Sequence, residues 1–278
     1  MATVNEKMTA IADAIRAKTG GTDPLTLDGM ATAIAGIETG GGGMSDEEYI
    51  KLIERTATEI TLPEGLTVIG DGAFFGMTKA RSNVIQFPST LRQIKDYAFC
   101  SCMNAKFGEL PNGVESIGMN AFDDCFKLAW TALPPSVTSI GQYAFSGCEE
   151  LALTSLPDGI TALPNYVFRR CSKLALSALP PNLAKIGAAA FDGCTSIQNI
   201  KIPASVATID RQAFKGCTSL TEVTFEGTPS SIYATTTNAA FYGCTNLATI
   251  NVPWAEGAVS GAPWGATNAT INYNYTGG

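Results

Sequence analysis

The chain contains no histidine. That absence excludes a Ser-His-Asp triad, an imidazole general base and any histidine-ligated metal site. Basic residues are scarce too: 18 Lys and Arg stand against 25 Asp and Glu, a net charge of −7. A nucleic-acid or anionic-membrane partner calls for a basic face, so neither is expected. No apolar run approaches the roughly 18 residues of a membrane-spanning helix, so membrane insertion is not expected either. The first residues, Met1 to Met8, lack a charged stretch followed by an apolar segment and do not read as a secretory signal. A protein made in a cytosol that leaves it, if at all, by a route other than secretion fits that start. Carboxylates are scattered rather than paired at a recurring spacing. Asp123-Asp124 is an acidic doublet in a repeat corner, where a solvated turn explains it. No enzyme activity, cofactor or metal is therefore expected.

What is present in quantity is repetition. The pattern Ala-Phe-x-x-Cys recurs with phenylalanines at 74, 99, 122, 145, 168, 191, 214 and 241. Five consecutive steps are 23 residues, the first is 25 and the last 27. The first copy carries Met77 in place of Cys, and one copy reads Val167-Phe168-Arg169-Arg170-Cys171. A period of this size predicts a solenoid, because each unit can bury its apolar face only against its neighbours. An extended surface built from one unit points to binding before chemistry.

Aligned on proline (63, 88, 111, 134, 157, 180, 203), the unit reads Leu-Pro-x-x-Val-x-x-Ile-Gly-x-x-Ala-Phe-x-x-Cys-x-x-Leu. The Val, Ile, Phe and Cys columns are predicted to point inward. Proline marks a corner where a strand must end. Short runs such as Val137–Ile140 and Gln198–Ile202 are predicted to form parallel ladders along the stack. The Gly after the Ile column suits a bend that needs positive φ or close backbone approach. Lys95, Pro164 and Asp210 replace it in three coils, which then need a different turn.

Seven of the eight cysteines (102, 125, 148, 171, 194, 217, 244) fall in one column. They read as buried free thiols acting as small apolar groups. Neighbouring coils lie within disulfide reach, but seven in a row cannot all pair. Cys100-x-Cys102 is the one close pair and is weak evidence for a metal or redox site. After Cys217 and Cys244, apolar residues stand three, six and eight places on: Leu220, Val223, Phe225, then Leu247, Ile250, Val252. In the middle coils the second apolar residue comes one place earlier, giving a column of Phe107, Trp130, Leu153 and Leu176. That column reads either as core with a different bend or as an apolar stripe for a partner.

The flanks differ from the repeat. In residues 1–38, Thr3-x-x-Glu6 forms a capping box, and Val4, Met8, Ile11 and Ile15 share a helical face. Leu27, Met30, Ile34 and Ile37 mark a second short helix. Helices this short are marginal alone and are expected to pack on another copy of the chain or on a larger assembly. Residues 39–44 are a glycine-rich linker. Residues 45–59 open on a second capping box, Ser45-x-x-Glu48, and read as a helix that covers the first coil of a solenoid over 60–250. Residues 251–278 read as a C-terminal cap holding Trp254 and Trp264.

The combined Ile-Gly-x-x-Ala-Phe-x-x-Cys pattern, over roughly residues 60–252, resembles the BspA-like leucine-rich repeat family. That resemblance implies a β-rich right-handed leucine-rich solenoid, here of about eight coils with a short helical N-terminal segment and caps. It also implies surface proteins that bind host proteins or other cells. Lys7 to Gly20 with Leu25-Thr-Leu-Asp-Gly-Met30 resembles N-terminal segments of tail proteins of phages and prophages of Gram-positive bacteria. The stretches Val252–Gly257 and Ala262–Tyr275 are similar to the endings of such proteins. On that resemblance the expectation is a non-enzymatic phage tail or tail-fibre protein located in the virion tail and made in the bacterial cytoplasm. Residues 1–38 would dock on a virion tail or baseplate protein, and the solenoid would recognise a host surface protein or glycan. The alternative is a bacterial cell-surface adhesin or protein-interaction module. Either form is compatible with a homo-oligomer.

If the solenoid binds, the candidates are solvent-facing columns with large amphipathic groups. Nine places after the proline stand Tyr97, Asn120, Tyr143 and Tyr166. Their rings suit sugar faces and interface anchors, or serve equally as half-buried filler in a turn. Arg169 and Arg170 interrupt an otherwise acidic or small corner and would suit an anionic glycan.

Overall fold

A computed structural model of the chain describes residues 59–62, 64–77 and 84–277. The expected helices of residues 1–38 and 45–59 lie essentially outside the described residues. What is described is a β-solenoid of about nine turns rather than eight. The extra turn comes from residues after Val252: strand Thr270–Asn272 adds in parallel to strand Thr249–Asn251. Trp254 and Trp264 are buried there against Phe225. Among the described residues the one helical element is a 3-10 turn at Thr236–Asn238.

All strand pairing is parallel and runs between successive coils. Two sheets hold the Ile column: Val68–Ile69, Gln93–Ile94, Ser116–Ile117 and Ser139–Ile140, then Ala162–Leu163, Lys185–Ile186, Thr208–Ile209 and Ser231–Ile232. The break between them has a chemical cause. In neighbouring coils the residue after the Ile column donates its amide to the preceding coil, as Gly141 does to Ile117 and Gly187 to Leu163. Pro164 has no amide to give to Ile140, so the ladder stops there. The glycines of this column do not sit at positive φ. They answer to the other requirement, close approach: a Cβ on Gly141 would lie 2.5 Å from the carbonyl carbon of Gly118. Lys95, Pro164 and Asp210 each follow a coil that carries glycine at this place (Gly70, Gly141, Gly187).

A second face carries the sheets Glu59–Thr61, Val84–Gln86, Lys106–Phe107 and, further on, Asn199–Ile202, Glu222–Phe225, Thr249–Asn251, Thr270–Asn272. Between them lie the coils whose apolar residue comes one place early. A one-residue shift reverses which side chains face the core. Trp130, Leu153 and Leu176 are buried there and regular strand pairing lapses, while Phe107, first of the column, is partly buried in the last strand of the first sheet. The column is therefore core, and the partner-stripe reading is corrected. Trp130 Nε1 donates to the Gly108 carbonyl at 2.8 Å, which satisfies its one polar atom.

Phenylalanine and cysteine form one device. The eight phenylalanines stack face to face, with centroids 4.9 Å apart for Phe74 and Phe99 and 5.9 Å for Phe168 and Phe191. From Phe99 to Phe241 each Phe carbonyl accepts the amide of the Cys three residues on, as Phe122 accepts from Cys125 at 3.1 Å. The same oxygen accepts the thiol of the next coil: Cys148 Sγ donates to Phe122 O at 3.1 Å, and Cys171 Sγ to Phe145 O at 3.0 Å. All eight cysteines are free and buried. Burial holds the Cys148 and Cys171 thiols far above the usual range, and raises Cys100 to about 11. The proline corner is equally regular, with the Pro134 carbonyl taking the amide of Val137.

Candidate recognition face

The surface that the core leaves over is a run of tight turns around each Ala-Phe. Three amides per coil donate to the following coil here, as Tyr97 does to Met119, Phe99 to Ala121 and Ser101 to Asp123. Two columns in this run are left-handed. One lies just before the cysteine, or before Met77 in the first copy: Gly76, Ser101, Asp124, Gly147, Arg170, Gly193, Gly216 and Gly243. The other lies two residues before the phenylalanine: Gly72, Tyr97, Asn120, Tyr143, Tyr166, Ala189 and Gln212, with φ of 52–61° from Tyr97 to Gln212. Left-handed backbone disfavours residues with a Cβ, by roughly 1–2 kcal/mol each. The inter-coil hydrogen bonds hold these positions nonetheless.

The candidate residues Tyr97, Asn120, Tyr143 and Tyr166 thus share one backbone geometry and one column on successive coils. Tyr97 is exposed, and the other three are half-buried. Tyr143 and Tyr166 stack with centroids 4.5 Å apart and planes 6° from parallel. Burial, then the neighbouring Tyr166 hydroxyl, raises the Tyr143 hydroxyl above the usual tyrosine range. Asn120 Nδ2 donates to Asp123 Oδ2 at 2.8 Å. Burial pushes the Asp123 carboxyl up, against the hydrogen bonds from Asn120 and Ser146.

Arg169 and Arg170 do not act as a pair. Arg169 Nε lies 3.4 Å from Asp192 Oδ2, one coil on. Arg170 is exposed in the left-handed glycine column at φ 61°. Beside them runs an exposed charge ladder in which Lys173 and Lys127 both meet Glu150, Lys127 at 3.9 Å. An anionic glycan would therefore find Arg170 alone rather than a double cation. The left-handed tyrosine column was not foreseen, although Gly72 and Asn120, residue types that tolerate this backbone, occupy two of its places. Among the described residues no group of three or more Cys, Asp and Glu side chains is placed to hold a metal ion. None of the described helices is long and apolar enough to cross a membrane.

The sequence matches the BspA type leucine-rich repeat region in six copies, over residues 53–175 and 174–256. The chain belongs to this family. A crystal structure of a leucine-rich repeat protein from Bacteroides ovatus is similar in fold, with a TM-score of 0.59 and 24% identity over 77% of this chain. The match spans 63% of that protein's length. A leucine-rich cell surface protein from Faecalibacterium prausnitzii matches 77% of this chain and 83% of its own at 21% identity, TM-score 0.30. The pneumococcal vaccine antigen PcpA matches 80% of this chain and 69% of its own at 20% identity, TM-score 0.38. No curated protein matches the chain.

Proposed function

We propose that the solenoid is a non-enzymatic interaction module that holds a surface protein or glycan against its tyrosine column, as an adhesin-type protein of a bacterial surface would. One observation carries this. The Phe and Cys columns are consumed by the core, while Tyr97, Tyr143 and Tyr166 stand outside it on a backbone kept rigid by inter-coil hydrogen bonds. Rigid aromatic groups bind at low entropic cost, which suits them as anchors. Membership of the leucine-rich repeat family supports a binding role over chemistry. The test is binding of the labelled full chain to bacterial and host cells. The Tyr97→Ala/Tyr143→Ala/Tyr166→Ala variant should bind at least tenfold less while still fully folded at the assay temperature. Undiminished binding would sink the tyrosine face.

A second reading has its own support, the similarity of residues 1–38 and 252–275 to phage tail proteins. In it, residues 1–38 dock on a virion tail or baseplate and the same face meets the host. Mass spectrometry of purified particles from the source strain decides between the two. Absence of the protein from particles removes the tail reading, and its presence there removes the adhesin reading.

A further inference from the structure

The tyrosine column has a gap, and the gap has the dimensions of a ligand. Tyr143 uses one ring face on Tyr166, 4.5 Å away. Its other face is turned toward the preceding coil, where the column holds the shorter Asn120. Beyond Asn120 stands Tyr97, exposed and at φ 58° against 57° for Tyr143, so the Cα–Cβ bonds of the two leave the backbone alike. The two coil steps between them measure 5.2 and 5.7 Å in the adjoining phenylalanine stack. Two steps thus separate the levels of Tyr97 and Tyr143 by roughly 11 Å. A group stacked on both sides needs about 9–14 Å, twice the range of ring separations in stacked pairs.

The floor of this slot is polar and already organised. Asn120 is drawn aside by its hydrogen bond to Asp123, 2.8 Å long. Ser146, which is buried, lies near enough to lower the Asp123 carboxyl against the upward push of burial. With its amide nitrogen given to Asp123, Asn120 keeps Oδ1 as an acceptor, and the Asp123 carboxylate has acceptor capacity beyond that one bond. Aromatic walls with an acceptor-rich floor favour a group that is apolar on its faces and carries hydroxyl donors on its rim. An acidic group is disfavoured, because Asp123 and Asp124 are adjacent and Arg169 is engaged with Asp192.

We propose that Tyr97, Asn120 and Tyr143 form a slot for one neutral pyranose ring of a glycan, with Asp123 and Asn120 accepting its hydroxyls. This rests on the tyrosine column being the recognition face and names its ligand class. No bond is made or broken.

The column itself supplies a clean variant. Asn120→Tyr places in the gap a residue that the same backbone already carries at 97, 143 and 166, so the fold is kept while the slot is filled. The probe is a panel of neutral glucose, galactose and mannose oligosaccharides, with sialylated and uronic-acid oligosaccharides beside it, read by saturation-transfer NMR on the full chain. At least one neutral oligosaccharide should receive saturation at its ring C–H positions. Asn120→Tyr and Tyr97→Ala should each weaken that binding more than tenfold, and Tyr166→Ala, outside the slot, less than threefold. Binding of only anionic sugars, of none, or binding that survives Asn120→Tyr overturns the slot, as does capture of an aromatic peptide alone. Cell binding by Asn120→Tyr keeps the two proposals apart. If it persists while the triple tyrosine variant loses it, the slot falls and the interaction module stands.

Discussion

Two kinds of glycine hold this solenoid together, and alanine distinguishes them. At Gly141 the backbone of the preceding coil leaves no room: a Cβ would lie 2.5 Å from the Gly118 carbonyl carbon and 2.7 Å from Met119 Cα. Neither atom is on a side chain that can swing away, so the coils must separate, and Gly141→Ala should cost about 3 kcal/mol or more. At Gly193 the space is ordinary, with Arg170 Cα 3.7 Å from the added carbon, but φ is 78°. Only backbone strain is felt there, offset in part by reduced freedom of the unfolded chain, so Gly193→Ala should cost about 1 kcal/mol. Arg170 is the reverse case, a long side chain in a glycine column at φ 61°. Relief of about 1–2 kcal/mol of left-handed strain, less about 0.5–1 for glycine entropy, makes Arg170→Gly stabilising by about 0.5 kcal/mol. Urea denaturation followed by fluorescence of the buried Trp130, Trp254 and Trp264 reads all three. The midpoints should rank Arg170→Gly, wild type, Gly193→Ala, Gly141→Ala from highest to lowest. Gly193→Ala falling below Gly141→Ala would refute the assignment of which column is crowded and which is left-handed.

Further outcomes follow from the core and the turn face. The native protein should show almost no free-thiol reaction with an aromatic disulfide reagent at pH 8, and all eight cysteines should react in urea, because burial raises the thiols. Cys148→Ala should cost only about 1–1.5 kcal/mol by thermal melting, since the Phe122 carbonyl keeps the Cys125 amide when the thiol bond is lost. Phe145→Ala, which opens the aromatic stack, should cost about 3–5 kcal/mol. Asp123 has a folded pKa above its unfolded value, so the folded state holds the proton more tightly. Its contribution is present below the ordinary aspartate range, about pH 4, and is lost as pH rises through the folded value. The stability of wild type relative to Asp123→Asn should therefore fall between pH 4 and pH 7, read as the difference of their urea midpoints.

The stack was legible because its physics is periodic. A Phe or Cys that must meet its own copy in the next coil recurs at a fixed step, and so do the proline corner and the close-packed glycine. The positive-φ columns were harder to see. The place before the cysteine is glycine in four coils, and before Met77 in a fifth, but Ser101, Asp124 and Arg170 obscure it. The tyrosine column is held left-handed by hydrogen bonds from other coils, an influence that a local pattern does not carry. Trp130, Leu153 and Leu176 were ambiguous for a related reason. A one-residue register shift looks the same on paper whether it turns a side chain out to a partner or draws it into a core without a strand. The interruption at Pro164 could be placed in the sequence, but its effect on a neighbouring coil's ladder required the pairing itself.

On the proposal made above, the buried ladder is scaffold and the tyrosine column outside it does the recognising. Cell-surface binding of the Tyr97→Ala/Tyr143→Ala/Tyr166→Ala chain, taken with its melting curve, tests this most directly. The expected result is a binding loss of tenfold or more in a chain whose melting curve shows it fully folded at the assay temperature. Full binding by the triple variant, or a loss of binding that only tracks unfolding, would contradict it.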